Sequence, residues 1–279
     1  MSEKIKIYEP FEPQKSQEGR SNEQPLKLGE QGLKFAEDVV NLFIEEGDVL
    51  GSGQYAAVHA DPKKNQSETA IKFFHEPTKQ TKATNDAREE IKFQGIAFDT
   101  LNEATVPCAK APCPQFYAQT ESGQEFISME EIHGKTLFRL ILEQAVIQTG
   151  RKTDLEEINE TSDDELERLI LGQSSNTKAL AKTEKLMKFI KNPSFLPIGL
   201  MRQFEEALKL FKSKNLFHGD LHPKNIMISH DLSQMYIIDF GTASFGKRDY
   251  TEIQGEKEGF HEYFMPDNQC MGILGSLTQ

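Results

Sequence analysis

The stretch FHGDLHPKNIMISHDLSQMYIIDFG, residues 217–241, constrains this chain more than any other feature of it. Asp220 and Asn225 stand five apart around Pro223, which has no amide proton and interrupts a helix, so both belong to a loop. Two short apolar runs follow, NIMIS and MYIIDF, separated by the polar turn HDLSQ, and read as strands. Asp239 closes the second run, nineteen residues after Asp220. A single Asp in a turn is ordinarily structural. Three such groups in this order suit phosphoryl transfer. That chemistry needs one carboxylate to accept or orient an attacking hydroxyl, plus an amide oxygen and a second carboxylate to hold Mg²⁺ against phosphates. Asp220, Asn225 and Asp239 fit those roles in sequence.

With 279 residues the chain has room for one large domain or two lobes. Hydrophobic residues at 37% and charged residues at 27% allow a packed core. A net charge of −12 repels nucleic acid and anionic membranes, and no basic patch offsets it. No run of 18 apolar residues and no apolar leader in MSEKIKIYEPFEPQKSQ are found, so neither a membrane span nor secretion by a signal peptide is expected. Cys108, Cys113 and Cys270 form an odd, sparse set that suits a reducing, cytoplasmic compartment. Cys108 and Cys113 lie in the Pro-rich VPCAKAPCPQ with no further metal ligands nearby, and read as loop thiols.

Along the chain, residues 1–30 are rich in Glu, Gln, Lys, Pro and Ser and predict a disordered arm. Phe35, Val39, Leu42 and Phe43 predict a short amphipathic helix over 32–46. DVLGSGQYAAVHA and ETAIKFF read as strands. Ala87, Ile91, Gln94 and Phe98 share one face of a helix over 84–98. EFISMEEI reads as a strand ending in a connector, with Gly134 releasing the chain into the helix TLFRLILEQAVI. Residues 150–180 are the least regular, with Asp154, Glu156, Glu157, Glu160, Asp163, Asp164, Glu165 and Glu167 in one acidic cluster. This is either a solvated helix pair or mobile insertion, or a docking surface for a basic protein partner. Met201, Phe204, Leu208 and Phe211 mark a helix over 199–214, with Asn215 as a left-handed cap.

KSKNLFHGDLHPKNIMIS and IIDFG resemble the catalytic loop and magnesium-binding motif of the protein-kinase-like superfamily, and the likeness extends over roughly residues 47–275. It implies an α+β, bilobal fold: a small antiparallel-sheet N-lobe with the hinge over 31–132, and a mainly helical, shortened C-lobe over 133–279 carrying the acidic insertion. It implies ATP and Mg²⁺ as cofactors, with Asn225 and Asp239 on the metal and Asp220 as base or orienter. LGSGQYAAV would be the Gly-rich loop, through Gly51, Gly53 and Val58, with Ala56 in place of its third glycine. Ala70 and Lys72 of AIK share one strand face, Ala70 by the adenine and Lys72 at the α/β-phosphates. A buried Lys needs a carboxylate. REEIKF offers Glu89 and Glu90, and the family pattern favours Glu90. MEEIHGKTL resembles the hinge, with Met129 as gatekeeper, backbone groups from Glu130 to Ile132 on the adenine edge, and Met227 as the pocket floor.

Departures from the family bear on substrate and control. Gly219 replaces the Arg that pairs with a phosphorylated activation loop, so no activation of that kind is expected. His222 occupies the place of the Lys beside the γ-phosphate and is a candidate contact to phosphate or substrate, with Lys224 as an alternative. His218 reads as structural, tying the loop to the strand that ends in Asp239. The short stretch after Gly241 and the polar N-terminal arm resemble compact effector kinases that bacterial pathogens deliver into host cytosol. The leading expectation is a protein Ser/Thr kinase. A small-molecule kinase of the aminoglycoside or choline type, which uses sequences similar to HGDLHPKN, and a kinase-fold docking module with weak catalysis are the alternatives.

Overall fold

The computed structural model describes residues 5–8, 43, 49–52, 56–60, 69–74, 87–120, 125–152, 154–172, 179–246 and 267–278. Gly53, and the helix expected over 32–46 apart from buried Phe43, lie outside them. The architecture is α+β, in two compact units: Met1–Asn102, Ala111–Ile132 and Asp239–Ala243 in the first, and Glu103–Lys110, His133–Ile238 and Ser244–Gln279 in the second. Among the described residues no helix is long and apolar enough to cross a membrane.

The first unit is built on a six-stranded sheet. Its strands are β1 (Ile5–Tyr8), β2 (Val49–Ser52), β3 (Ala56–Ala60), β4 (Thr69–Phe74), β5 (Pro114–Thr120) and β6 (Glu125–Glu130), in the order β1-β5-β6-β4-β3-β2. All pairings are antiparallel. Ile5–Tyr8 fall in the stretch read from composition as a disordered arm, yet they add an edge strand along β5. Backbone pairing at a sheet edge needs no favourable composition, so this strand left little signal.

β4 is buried along its whole length. Its register places Lys72 between Val58 and Ile127, and Ala70 between Ala60 and Met129. Residues two apart on a strand, and residues directly opposite each other, share a face. Val58, Ala70, Lys72, Ile127 and Met129 therefore line one side of the sheet. On that side packs α1 (Ala87–Asn102), through a core of Ala56, Phe74, Ala87, Ile91, Tyr117 and Ile127, with Met129 against it. The buried stripe of α1 is Ala87, Glu90, Ile91, Gln94, Ala97, Thr100 and Leu101. Phe98, expected on this face, is only half-buried, because the 3.6-residue period carries the stripe from Gln94 to Ala97 and Leu101. A carboxylate, Glu90, stands inside the stripe.

In the second unit, β7 (Gly134–Thr136) and α2 (Leu137–Thr149) follow the segment Glu103–Lys110. Gly134 does more than release a helix, because it pairs with Ser229 in a strand. A Cβ at this position would run into the Ile228 carbonyl oxygen, so the close strand approach admits only glycine. The Thr136 side chain accepts from the Arg139 amide and starts α2, and left-handed Gly150 ends it.

The acidic stretch is helical, in line with one reading of its sequence. It forms α3 (Leu155–Glu160) and α4 (Asp163–Leu171), capped by Asp154 and Ser162, followed by α5 (Ala179–Met187). Arg139 of α2 anchors it by donating to the carbonyls of Thr161 at 2.7 Å and Ile158 at 2.5 Å, and to the Asp163 carboxylate at 2.7 Å. Buried Glu167 pairs with Lys182 of α5 at 2.8 Å. Asp154, Glu156, Glu157, Glu160, Asp164 and Glu165 remain on the surface.

α6 (Ile198–Ser213) buries Leu200, Gln203, Phe204, Ala207 and Phe211, and Asn215 after it takes φ 55°. Next come β8 (Leu216–Phe217), a short 3₁₀ turn at Pro223–Asn225, β9 (Ile226–Ser229) and β10 (Met235–Ile237). β10, β9 and β7 form one small sheet, and β11 (Ser244–Phe245) pairs with β8. The Gln203 side chain fixes β10: its oxygen accepts from the Met235 amide at 2.9 Å and its nitrogen donates to the Ser233 carbonyl at 2.7 Å. α7 (Asp267–Leu277) closes the described chain.

Candidate active site

Lys72 organises the candidate residues of the first unit. Its position on the sheet face that receives α1 brings its ammonium 2.6 Å from Glu90 Oε1 and 2.9 Å from Asp239 Oδ1. The Phe74 ring lies beneath it, with the ammonium 5.4 Å from the ring centroid, a neighbour the sequence reading did not single out. Glu89, the other candidate partner, points to solvent. The Lys72 and Glu90 side chains are 10% and 1% exposed, whereas that of Asp239 is 41% exposed. Asp239 takes φ 65°, a conformation that Asp tolerates better than most residues, and fully buried Phe240 follows it.

One ammonium between two carboxylates leaves a surplus negative charge, and the titration of the group follows from that. Burial alone would lower the Lys72 pKa, but the Glu90 and Asp239 carboxylates overcome it and hold the ammonium above its ordinary value. Burial pushes Glu90 up to about 7, against the pull of Lys72 and with help from the Asp239 charge. Among the described residues no hydrogen-bond donor reaches Glu90 Oε2, which adds to the cost of ionising it. Lys72 therefore stays charged, and Glu90 is the member that takes up a proton.

Because its folded pKa is raised, Glu90 contributes stability that is fully present below about 4.5 and lost as pH rises through about 7. Between pH 5 and 7.5, wild type is expected to lose on the order of 3 kcal/mol relative to Glu90→Gln. Urea unfolding of both proteins at the two pH values measures it, and parallel pH profiles would contradict the assignment.

The same sheet face carries the candidate adenine contacts of this unit. Val58 and Met129 are half-buried and Ala70 is buried, all beside Lys72. Gly51 pairs with Val58 on the neighbouring strand. The Glu130 amide donates to the Cys113 carbonyl at 2.9 Å, and its carboxylate accepts from the Cys113 amide at 3.1 Å. This double link turns the Glu130 side chain back on the segment before β5. Ile132, half-buried, ends this stretch of the unit.

The second unit holds Asp220, His222, Asn225 and Met227. Pro223 and the 3₁₀ turn fold the loop back on itself. Asn225 Nδ2 donates to the Asp220 carbonyl at 2.8 Å and lies 3.4 Å from Asp220 Oδ2. His218 braces the loop: Nδ1 accepts from the Asp220 amide at 3.3 Å, and Nε2 lies 2.9 Å from the Ile238 carbonyl, which fixes Nε2 as the protonated nitrogen. The Ile238 amide in turn donates to the Asn225 carbonyl at 3.0 Å. Gly219 takes φ 85°, where a side chain such as the Arg of regulated kinases would be strained. His222 Nδ1 accepts from the Lys224 amide at 3.2 Å, capping the turn, and Nε2 lies 3.4 Å from Asp220 Oδ2. The Lys224 ammonium sits 4.8 Å from the Phe138 ring centroid. Met227 is half-buried on β9.

Each unit offers an oxygen of the kind that a hard cation takes. With its nitrogen committed to Asp220, Asn225 keeps its amide oxygen, which no donor among the described residues reaches. Asp239 supplies a half-exposed carboxylate. An amide oxygen and one or two carboxylates are what a protein offers magnesium, whose remaining ligands are water and phosphate.

Comparison with known proteins finds kinases and a phosphotransferase family. A stretch of 86 residues is 40% identical to the DYRK-family kinase pom1 of Schizosaccharomyces pombe, covering 28% of this chain and 8% of that one. The serine/threonine-protein kinase ppk5 of the same yeast is 35% identical over 65 residues, or 21% of this chain and 8% of the relative. Mouse homeodomain-interacting protein kinase 1 is 39% identical over 70 residues, or 22% and 6%. The chain thus spans under a tenth of the length of these relatives. The model of the phosphotransferase enzyme family, APH, matches residues 78–250, more than half of the chain. The protein belongs to that phosphotransferase enzyme family, and with it to the protein-kinase-like superfamily.

Proposed function

We propose that this phosphotransferase moves the γ-phosphate of Mg-ATP to a Ser or Thr hydroxyl of a protein. The observation that carries the reading is Lys72 held 2.6 Å from buried Glu90 and 2.9 Å from Asp239. A buried lysine with two carboxylates is poorly explained by stability alone, since apolar residues of similar volume serve a core as well. Glu90 keeps the ammonium aimed on the sheet face shared with Val58, Ala70 and Met129, where the α/β-phosphates and adenine would be recognised. Asp239, the more exposed carboxylate, can part from Lys72 without breaking the buried pair. Asn225 and Asp239 would hold Mg²⁺, which when bound neutralises charge developing on the phosphates. Asp220 takes the acceptor's proton as its oxygen bonds phosphorus, while the bond to ADP breaks and ADP leaves with the electron pair.

The protein acceptor is supported by the relatives, all three of which are named as kinases, two of them explicitly as protein kinases. A small-molecule hydroxyl is the second reading, favoured by the family match and by HGDLHPKN. Labelled ATP and Mg²⁺ with a generic basic protein, an aminoglycoside or choline separate the two. Label is expected in protein and absent from it with Asp220→Ala. Label in the small molecule alone moves the assignment to the second reading, and no transfer with any acceptor removes both.

A further inference from the structure

The loop around Asp220 treats the two oxygens of its carboxylate differently. Oδ2 has two donors near it, Asn225 Nδ2 and His222 Nε2, each at 3.4 Å. Among the described residues no donor reaches Oδ1. The side chain is 32% exposed, so Oδ1 is the oxygen left for an incoming group. The His222 ring is also directed. Its Nδ1 accepts from the Lys224 amide, so the ring proton of the neutral form sits on Nε2, the nitrogen that faces Asp220. The ring is 20% exposed, and the turn it caps, Pro223–Asn225, is the one that presents Asn225.

We propose that His222 is a positioning residue for Asp220. With Asn225 it holds Oδ2, so that Oδ1 is the atom that receives the acceptor's proton. This rests on the reading of Asp220 as the base of phosphoryl transfer. It gives His222 a different task from a γ-phosphate contact, since its two nitrogens serve the turn and Asp220. The 3.4 Å separation is long for a hydrogen bond, and contacts of this kind commonly tighten when a site closes on substrate.

The two duties of the ring can be separated. Asn in place of His222 puts an oxygen where Nδ1 was and keeps the cap to the Lys224 amide, but has nothing at Nε2. Gln reaches the Nε2 position with an amide proton and gives up the cap. His222→Asn is expected to keep the wild-type melting temperature and a KM for Mg-ATP within about twofold of the wild-type value. Its kcat is expected to fall roughly 10- to 100-fold, as happens when a partner that orients a reacting group is removed. His222→Gln is expected to recover part of kcat despite a lower melting temperature. Wild-type kcat in His222→Asn would mean that the ring only caps the turn. A change confined to the KM for ATP would make His222 a phosphate contact instead. Either result overturns the proposal.

A readout without turnover keeps this distinct from the phosphotransfer reading. Nitrogen-15 spectra of histidine-labelled protein are expected to show His222 as the Nε2–H tautomer, with that signal displaced in Asp220→Ala. An undisplaced signal refutes the contact even if transfer is normal. A displaced signal in a protein that transfers no phosphate establishes the contact and overturns the role of Asp220 as base, and with it the positioning of a base by His222.

Discussion

Phosphoryl transfer by an Asp220→Asn variant is expected to fall by roughly 10²- to 10⁴-fold, while Mg-ATP still raises the melting temperature as it does in wild type. The surroundings of Asp220 explain why the loss is confined to chemistry. Its amide is tied to His218 and its carbonyl to Asn225, so the loop does not depend on the charge of the side chain. In the variant, the donors near Oδ2 favour placing the amide oxygen there. The NH₂ group then stands at the Oδ1 position and cannot take a proton. Lys72, Glu90 and Asp239, which carry the expected phosphate and metal contacts, are untouched by the substitution. Single-turnover transfer from labelled ATP measures the first effect and a nucleotide-dependent thermal shift the second. Transfer near the wild-type rate would show that Asp220 is not the base.

The expected phosphotransfer residues were legible in the sequence because that chemistry places its groups in short linear runs. HGDLHPKN and IIDFG are fixed by chain connectivity, and the side chains they present follow from a loop and a strand end. Lys72 and Glu90 are separated by a gap in sequence, yet both were reachable. The two-residue period of a strand puts Lys72 with Ala70, and the family pattern pointed to Glu90 over Glu89; in the structure Glu90 shares the buried face of Ala87, Ile91 and Gln94. Side-chain direction inside irregular backbone was not legible. The preference of His222 for Asp220 arises from a 3₁₀ turn one residue further on, and the placement of Lys224 over Phe138 from α2. Tertiary anchoring was equally hidden. Residues 154–171 were legible as a solvated helix pair, but not that Arg139 and Lys182, outside the stretch, hold it in place. Gly134 read as a release into the following helix, and its pairing with β9 was not legible.

Replacing Lys72 with Met tests the other half of the chemistry, and it is expected to cost both stability and turnover. Removing one partner of a buried ion pair leaves its carboxylate uncompensated, a loss on the order of 3 to 5 kcal/mol where the remaining charge cannot be relieved. Here it can be relieved in part, because burial already pushes Glu90 up to about 7. The cost is therefore expected to be greater at pH 8, where Glu90 must either stay ionised without a partner or bind a proton against the solution, than at pH 5, where it is already neutral. Adding Glu90→Gln to Lys72→Met removes the stranded charge and is expected to restore most of the stability lost at pH 8. Turnover responds differently. Neither the single nor the double variant has an ammonium for the phosphates, so both are expected to transfer phosphate at least roughly 10²-fold more slowly than wild type. Urea unfolding at the two pH values and the transfer assay read the two effects independently. Should the double variant recover activity together with stability, Lys72 and Glu90 would be a packing device. Should it recover stability alone, the pair is kept for the nucleotide, and the buried charge is a stability cost that the fold bears for that purpose.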